Sequence, residues 1–157
     1  MKLSDFVAPE AIVPELNATT RDDAVAELID ALVAADRVPA DLRDDLIQHI
    51  LDREKQGSTG FGKGVAVPHV KHDKVTAMTA AVGVSHTGVE FNALDKAPVF
   101  SIVLLVSPKN DPDPHLQAME SIFAHLQNDT FRKFLRQATT VDAVTDLLQE
   151  ADSQQLA

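Results

Sequence analysis

Residues 99–108 read VFSIVLLVSP, and all of them except the two serines and the closing proline are apolar. A strand with one face in water alternates apolar and polar side chains, whereas a strand covered on both faces is apolar nearly throughout. The run is also far too short to cross a membrane as a helix. It therefore predicts a central strand in a sheet that carries helices on both faces.

The segments before this strand support a domain of the same kind. Residues 19–38 and 41–56 place apolar side chains at helical spacing, and Gly57 is well placed to end the second helix. Two shorter β-rich segments follow, at residues 65–70 and 76–86. Helices on either side of strands are typical of an α/β domain. Strand order and direction do not follow from these patterns.

Proline and the residues before it predict several boundaries. Pro68 must lie at a sheet edge or a strand end, because it has no N–H to donate. Asp113 followed by Pro114 predicts the N-cap and the first residue of a third helix. Residues 1–19 are expected to be irregular, and the tail 151–157 to fray. Two further helices are expected to begin after Asn128 and Asp129 and at Thr140.

Composition limits the class of protein. The chain has 157 residues and a formal net charge of −10, which predicts one domain over residues 1–157, with an ordered core of about residues 3–150. The acidic balance argues against nucleic-acid binding. The absence of cysteine excludes disulfides, thiolate metal sites and cysteine nucleophiles. The first residues include Asp5 and Glu10 and no long apolar run, so we expect no secretory signal, no membrane insertion and a cytoplasmic location.

Four of the six glycines fall in REKQGSTGFGKGVAVPH, residues 53–69. Glycine is used where the backbone needs positive φ or a close approach, so this concentration predicts a shaped loop that leads to His69. Two interpretations of His69 remain open: it ends a strand, or it is an exposed imidazole beside loop amides and the hydroxyls of Ser58 and Thr59, where an anion can bind. Arg53 could reach the same anion with its forked guanidinium.

A second imidazole, His115, adds to this pattern. If Pro114 opens the helix, His115 lies in its first turn, where unsatisfied N–H groups and the helix dipole favour anions. Two imidazoles, an arginine and a helix start would suit a transferable phosphoryl group, since neutral imidazole is a good nucleophile near neutral pH. The sequence alone does not establish that His115 meets His69 in space. His49 and His125 are expected at helix surfaces or boundaries, and nothing in the sequence converges on His86.

Metal and nucleotide sites are weaker alternatives. His69, His72 and Asp73, joined by His115, could be interpreted as a metal-ligand cluster. On an extended segment, however, His69 and His72 point to opposite faces because their separation is odd. The loop GSTGFGKG lacks the Gly-Lys-Ser/Thr ending of a P-loop, so we expect no ATP there. We predict no metal and no cofactor.

The segment DREKQGSTGFGKGVAVPH, residues 52–69, resembles the active-site segment of phosphotransferase system enzyme IIA domains of type 2, the fructose, mannitol and nitrogen-regulatory class. The resemblance extends over nearly the whole chain. LSDFVAPEAIV resembles the family's opening, FNALDKAPVFSIVLLVSP its central strand region, and PHLQAMESIFAHL the helix with its second histidine. It implies a three-layer α/β/α sandwich with a mixed central sheet of about five strands.

The resemblance also implies roles for individual residues. His69 matches the histidine that accepts a phosphoryl group from the phosphocarrier protein HPr or a nitrogen-type paralogue of it. His115 matches a second active-site histidine that steadies the group by hydrogen bonding, and Arg53 matches the arginine that stabilises its negative charge. The acceptor would be a IIB domain or a regulatory target protein. The residues implied to line the phosphate pocket are Ser58, Thr59 and Gly60.

The subclass remains open. Nitrogen-regulatory members often have glycine after the active histidine, whereas here Val70 follows. The resemblance implies a phosphoryl carrier that either passes the group on towards sugar transport or uses it as a regulatory signal. The alternative is a regulatory binding module that acts by protein contacts. The same fold also occurs in cytoplasmic domains of anion transporters, and a purely structural anion-binding domain would transfer no phosphoryl group.

Overall fold

The computed structural model describes residues 1–153, and residues 154–157 lie outside the described part. Two short 3-10 helices, Leu3–Asp5 and Ala40–Leu42, accompany five strands and five longer helices in this part of the chain. In chain order the strands and longer helices are β1 (Val7–Val13), α1 (Arg21–Ala34), α2 (Arg43–Gln56), β2 (Val65–Ala66), β3 (His69–His72), β4 (Thr79–Val89), β5 (Val99–Pro108), α3 (Pro112–Leu126), α4 (Asp129–Gln137) and α5 (Val141–Asp152).

The strands form one mixed sheet in which β5 is internal. The order is β1-β4-β5-β2. β3 also pairs with β5, so β2 and β3 lie one after the other along the same edge of the sheet. β4 and β5 are antiparallel, while β1 runs parallel to β4, and β2 and β3 run parallel to β5. Pro68 lies in the break between β2 and β3, at the edge of the sheet. Its predicted position is confirmed, since an edge needs no N–H from it.

The side chains of β5 alternate between two cores. Ile102, Leu104 and Val106 belong to the core under α1 and α2, whereas Val103 and Leu105 belong to the core under α3, α4 and α5. All five side chains are buried. The predicted three-layer sandwich, with a central strand covered on both faces, is confirmed.

Short-range signals place most helix ends where the sequence predicts them. Gly57 follows the last residue of α2. Three N-cap side chains each accept a hydrogen bond from the backbone N–H three residues later in the chain. Each bond satisfies one of the free donors of the helix's first turn. The capping residues are Thr20, Asn128 and Thr140, at the starts of α1, α4 and α5.

The prediction that residues 1–19 are irregular is wrong, because β1 runs through them. The pairing of β1 with β4 shifts register between Val7 and Ile12. Pro9 and Glu10 are exposed within this interval. A proline and a charged residue in mid-strand interrupt the alternation that marks a strand in a sequence, and the register shift accommodates them.

The predicted start of α3 is also wrong, by two residues. The helix begins at Pro112 and Asp111 flanks it, whereas the sequence predicts these roles for Pro114 and Asp113. Neither proline has an amide hydrogen, so the first turn has fewer donors to satisfy, and Asp111 makes no side-chain capping hydrogen bond. His115 is therefore the fourth residue of the helix.

The tail starts as ordered helix. Ala151 and Asp152 complete α5, and the Asp152 carboxylate accepts the backbone N–H groups of Leu3 at 2.6 Å and Ser4 at 3.0 Å. The prediction of fraying is therefore wrong for these two residues, while its remainder at 154–157 lies outside the described residues. That all of 1–157 forms one domain stays a prediction. Within residues 1–153, no helix combines the length and apolar character needed to cross a membrane.

Candidate phosphoryl-transfer site

His69 is the first residue of β3 and is half-buried at the sheet edge. Its Nδ1 lies 2.8 Å from the carbonyl oxygen of Val67. A carbonyl oxygen can only accept, so Nδ1 carries the proton and donates it. In a neutral imidazole the lone pair then belongs to Nε2. The interruption between β2 and β3, at Val67 and Pro68, thus fixes both the orientation and the tautomer of His69.

His115 meets His69 although the two residues lie 46 positions apart in the sequence. The two ring centroids are 5.5 Å apart, and the ring planes are tilted by 55°. His115 is buried, and its Nδ1 lies 2.6 Å from the hydroxyl oxygen of Ser107, which is fully buried in β5. The juxtaposition follows from topology, because β3 pairs with the end of β5 and α3 starts shortly after β5 ends.

Burial favours the neutral form of both imidazoles. It lowers the pKa of His115 to about 4, and the positive charges of His69 and Lys71 act in the same direction. Burial is also the main reason that the pKa of His69 lies below its usual value. The hydrogen bond to Val67 opposes this shift, whereas the positive charge of Arg53 adds to it. At neutral pH the Nε2 lone pair of His69 is therefore available.

Glu54 organises the loop that precedes the site. This carboxylate is only 4% exposed, although it lies in the last turn of α2. It accepts the backbone N–H of Thr59 at 3.1 Å and also the Thr59 hydroxyl. The hydroxyl of Ser58 lies 3.4 Å away. Glu54 is not among the site residues predicted from the sequence, and the one available signal was its place directly after Arg53 in the segment 52–69.

The glycines of the loop answer separate steric demands. A Cβ on Gly60 would lie 2.9 Å from Cβ of Ala93, so only glycine fits without movement there. Gly62 and Gly64 have φ of +115° and +75°, values that other residues seldom adopt. The loop is further tied down by the N–H of Leu94, which donates to the carbonyl of Gly60 at 2.8 Å.

Two positive charges accompany the histidines. Arg53 is exposed, and its Nη1 donates to the carbonyl of Gly57 at 2.7 Å, so the end of α2 holds it beside the loop. Lys71 is exposed on β3, two residues after His69 and therefore on the same side of the strand. Lys71 is not among the site residues predicted from the sequence, although its spacing from His69 is visible there. These cations can stabilise a dianionic phosphoryl group.

The predicted pocket residues lie in the loop, but their hydroxyls have other partners. The hydroxyl of Thr59 donates to Glu54, and the Ser58 oxygen accepts the N–H of Gly60 at 3.0 Å. The start of α3 offers fewer N–H groups than a typical helix end, because Pro112 and Pro114 have none. A direct role of Ser58, Thr59 and Gly60 in binding phosphate stays a prediction.

His72 is separated from the site, as the odd spacing predicts. It lies on the side of β3 that faces α2, and its Nδ1 accepts the N–H of Lys74 at 3.0 Å. Its Nε2 therefore carries the proton and donates it to Asp45 at 2.5 Å. This hydrogen bond lowers the pKa of Asp45. The cluster of His69, His72, Asp73 and His115 considered as metal ligands is thus not assembled.

One other group in the described part of the chain has metal-ligand geometry. The possible ligand atoms of Asp45, His49 and His72 lie within 4.8 Å of one another. Both ring nitrogens of His72 already have hydrogen-bond partners, and coordination through Nε2 would move its proton to Nδ1, against the N–H of Lys74. These hydrogen bonds favour a structural role. His49 is exposed and His125 half-buried, as predicted.

Comparison with known proteins identifies the family. The model of the family described as Phosphoenolpyruvate-dependent sugar phosphotransferase system, EIIA 2 matches residues 5–151. The chain belongs to this family of phosphotransferase components, so the resemblance drawn from residues 52–69 is confirmed.

Individual relatives cover both subclasses. The chain is 32% identical over 148 residues to the PTS system fructose-specific EIIA component of Haloferax volcanii, covering 94% of this chain and 95% of that protein. The solved structure of nitrogen regulatory protein IIA-Ntr from Neisseria meningitidis superposes with a TM-score of 0.83 at 26% identity, covering 93% of this chain and 98% of that one. The mannitol IIA protein of Escherichia coli, solved with phosphorylated IIB, superposes with a TM-score of 0.75 at 25% identity over 90% of this chain and 96% of that one.

Proposed function

We propose that this protein is a phosphoryl carrier of the phosphoenolpyruvate-dependent phosphotransferase system, and that Nε2 of His69 is the atom that carries the group. The observation that supports this most directly is the hydrogen bond from Nδ1 of His69 to the Val67 carbonyl. This hydrogen bond leaves Nε2 unprotonated, so its lone pair can act as the nucleophile. Burial keeps the ring neutral.

The transfer joins Nε2 of His69 to phosphorus while the bond between phosphorus and the donor's nitrogen breaks. The donor would be HPr or a nitrogen-type paralogue, whose imidazole leaves with the electron pair of the broken bond. An in-line arrangement needs positioning and charge stabilisation more than covalent help from the protein. Arg53 and Lys71 would supply the positive charge.

His115 would hold the transferred group without carrying it. If the Ser107 hydroxyl donates to Nδ1 of His115, the imidazole proton resides on Nε2 and can be donated to a phosphoryl oxygen. The ring separation of 5.5 Å is compatible with a phosphoryl group on His69 that His115 contacts. The low pKa of His115 favours this neutral donor over a cation near neutral pH.

Exposed and partly buried apolar side chains on α3 and on the loop before β2 suit docking of a protein. Leu116 follows His115 and is 60% exposed. The rings of Phe61 and Phe123 lie 5.1 Å apart and are only partly buried. We propose that donor and acceptor dock here in turn, in the cytoplasm, and that the acceptor is a IIB domain, the partner with which the E. coli mannitol protein was solved.

Phosphorylation from phosphoenolpyruvate through enzyme I and HPr tests the carrier. Mass spectrometry under alkaline conditions, which preserve phosphohistidine, should find one added phosphoryl group on His69. His69→Ala should remain unmodified, while His86→Ala, which removes an exposed histidine outside the site, should be modified normally. A phosphorylated His69→Ala protein would refute the assignment.

The second candidate function is a regulatory switch, and the similarity to IIA-Ntr of N. meningitidis favours it. In this role phosphorylation of His69 would change which target protein the apolar surface binds. Affinity capture with phosphorylated and unphosphorylated protein would give different partner lists. Identical lists would contradict the switch and leave the carrier role intact.

A further inference from the structure

A cavity of about 620 Å³ lies between α4, the start of β5 and the loop before β2. Its size is in the range of small-molecule binding sites. Val65 lines it and pairs with Ser101, whereas His69 pairs with Leu105. Ser101 and Leu105 are four positions apart along β5, which corresponds to roughly 13 Å. The cavity is therefore distinct from the phosphoryl-transfer site.

Positive charge is concentrated in this cavity although the chain as a whole is acidic. Four of the chain's 14 Lys and Arg residues line it, against a net charge of −10. The one lining carboxylate belongs to Asp129, which pairs with Arg132. Among the described residues, no salt bridge neutralises the other three cations. They are Lys63, Lys133 and Arg136.

Arg136 is positioned by an aromatic ring. Its guanidinium carbon lies 3.5 Å from the centroid of the Phe100 ring, a cation–π contact. A stacked ring fixes the guanidinium plane but offers no acceptor to its N–H groups. No side-chain hydrogen bond of Arg136 is formed within residues 1–153. Its N–H groups are thus oriented beside the cavity and available to an anion that presents oxygen atoms.

The opposite wall is fixed by the backbone. The Gly64 carbonyl accepts the N–H groups of Phe100 at 2.8 Å and Ser101 at 3.1 Å, which ties the loop to β5. Lys63 has φ of +62°, a conformation that residues with side chains seldom adopt. This constrained backbone places Lys63 in the cavity wall, where its side chain is exposed.

We propose that this cavity binds a small polyanion, a ligand that carries two or more phosphate or carboxylate groups. A single small anion would leave most of the three unpaired charges uncompensated. A ligand with several anionic groups could contact Arg136 from α4 and Lys63 from the loop together, so its binding would bridge α4 and the loop.

The test is isothermal titration calorimetry at low ionic strength with two probes, tripolyphosphate and citrate, in the absence of divalent metals. The tighter probe tells whether phosphate or carboxylate is the preferred group. Lys133→Gln/Arg136→Gln should weaken binding of that probe at least about tenfold, the loss expected from one strong charge-assisted contact.

The matched control is Lys2→Gln/Arg37→Gln, which removes the same charges from exposed positions outside the cavity. It should bind within about twofold of the unmodified protein, well below the tenfold step of 1.4 kcal/mol. Amide NMR spectra should verify the fold of each variant. In the unmodified protein, addition of the probe should change the amide chemical shifts of Gly64 and Ser101. No binding of either probe at millimolar concentration, or equal losses in the two double variants, would overturn the proposal.

Discussion

His69 and His115 face each other, but their imidazoles are constrained differently. The partner of Nδ1 in His69 is a carbonyl, which can only accept, so one tautomer is imposed. The partner of Nδ1 in His115 is the Ser107 hydroxyl, which can donate or accept. The Ser107 hydroxyl can therefore pair with either tautomer of His115, as donor to a bare Nδ1 or as acceptor from a protonated one. This adaptability would suit the role proposed for His115 at both the empty and the phosphorylated site.

The low pKa of His115 predicts a specific loss of stability in acid. Its pKa is about 4 when folded against an ordinary value of 6.5, so the folded state binds this proton less readily. The stabilisation is complete above pH 6.5 and is lost as the pH falls towards 4. Urea unfolding at a series of pH values should show that the unmodified protein loses up to about 3 kcal/mol more than His115→Gln between these limits. Parallel pH profiles would contradict this.

Arg53 is predicted to act on the rate of transfer rather than on the fold. Arg53→Gln should slow phosphorylation of His69 by about 100- to 1000-fold, the usual range for loss of one preorganised donor that stabilises charge in a transition state. Its exposed side chain makes one hydrogen bond, to Gly57, so the melting temperature should change little. Lys55→Gln removes an equal charge from the same turn of α2 and is the control. Equal rates for the two variants in a single-turnover assay would count against the role of Arg53.

At the scale of elements, the loop between α2 and β2 connects the two cationic sites. One part of it is held by the buried Glu54 carboxylate beside Arg53. The other part, Lys63 and Gly64, lines the basic cavity. The conformation of this loop depends on the close packing of Gly60 against Ala93.

Gly60→Ala should destabilise the protein by about 1–3 kcal/mol, the usual cost of overpacking, because the new Cβ would lie 2.9 Å from Cβ of Ala93. Ala93→Gly removes the opposing atom, so the double variant should regain part of the loss. Gly57→Ala is the control, since a Cβ there meets no atom within 4 Å. Chemical denaturation measures all four proteins. Additive effects of Gly60→Ala and Ala93→Gly would argue against a direct clash.

The elements that the sequence predicted well are those whose signals are local. β5 is a continuous apolar run, and Thr20, Asn128 and Thr140 cap helices within three residues of themselves. β1 was missed because pairing with β4, rather than its own pattern, makes it a strand. The start of α3 was ambiguous, because Asp-Pro occurs twice in succession.

The same distinction holds for the site. His69 and Arg53 were found from one short segment, but the contact between His69 and His115 depends on β3 lying beside the end of β5. Glu54 was missed because a carboxylate in the last turn of a helix is normally solvated. Here the folded loop buries it and supplies the hydrogen bonds that it needs.

At the scale of the whole molecule, the 3-10 helix that precedes β1 is joined to α5, the last helix of the described residues. The 3-10 helix Leu3–Asp5 packs against α5, and the Asp152 carboxylate accepts two of its N–H groups. The link connects α5 to the segment that leads directly into β1. The outer helical layer is thereby attached to an edge strand of the sheet.

Removal of this link should lower global stability. Asp152→Ala should cost about 1–3 kcal/mol, because hydrogen bonds to a charged acceptor are lost and two backbone donors are left unpaired. Asp146→Ala, an exposed position in the same helix, is the control and should change stability by less than about 0.5 kcal/mol. Thermal unfolding followed by circular dichroism compares the two. Equal melting temperatures would show that Asp152 is dispensable.

The Val67 carbonyl has a chemical consequence for the proposed carrier. Since it occupies the Nδ1 side of His69, the phosphorylated product would be the τ isomer of phosphohistidine, and the π isomer would require that hydrogen bond to break. The regiochemistry is thus set by the backbone before any partner arrives. A donor and an acceptor that use this protein must both approach along the same nitrogen–phosphorus axis, and they would exclude each other by geometry alone.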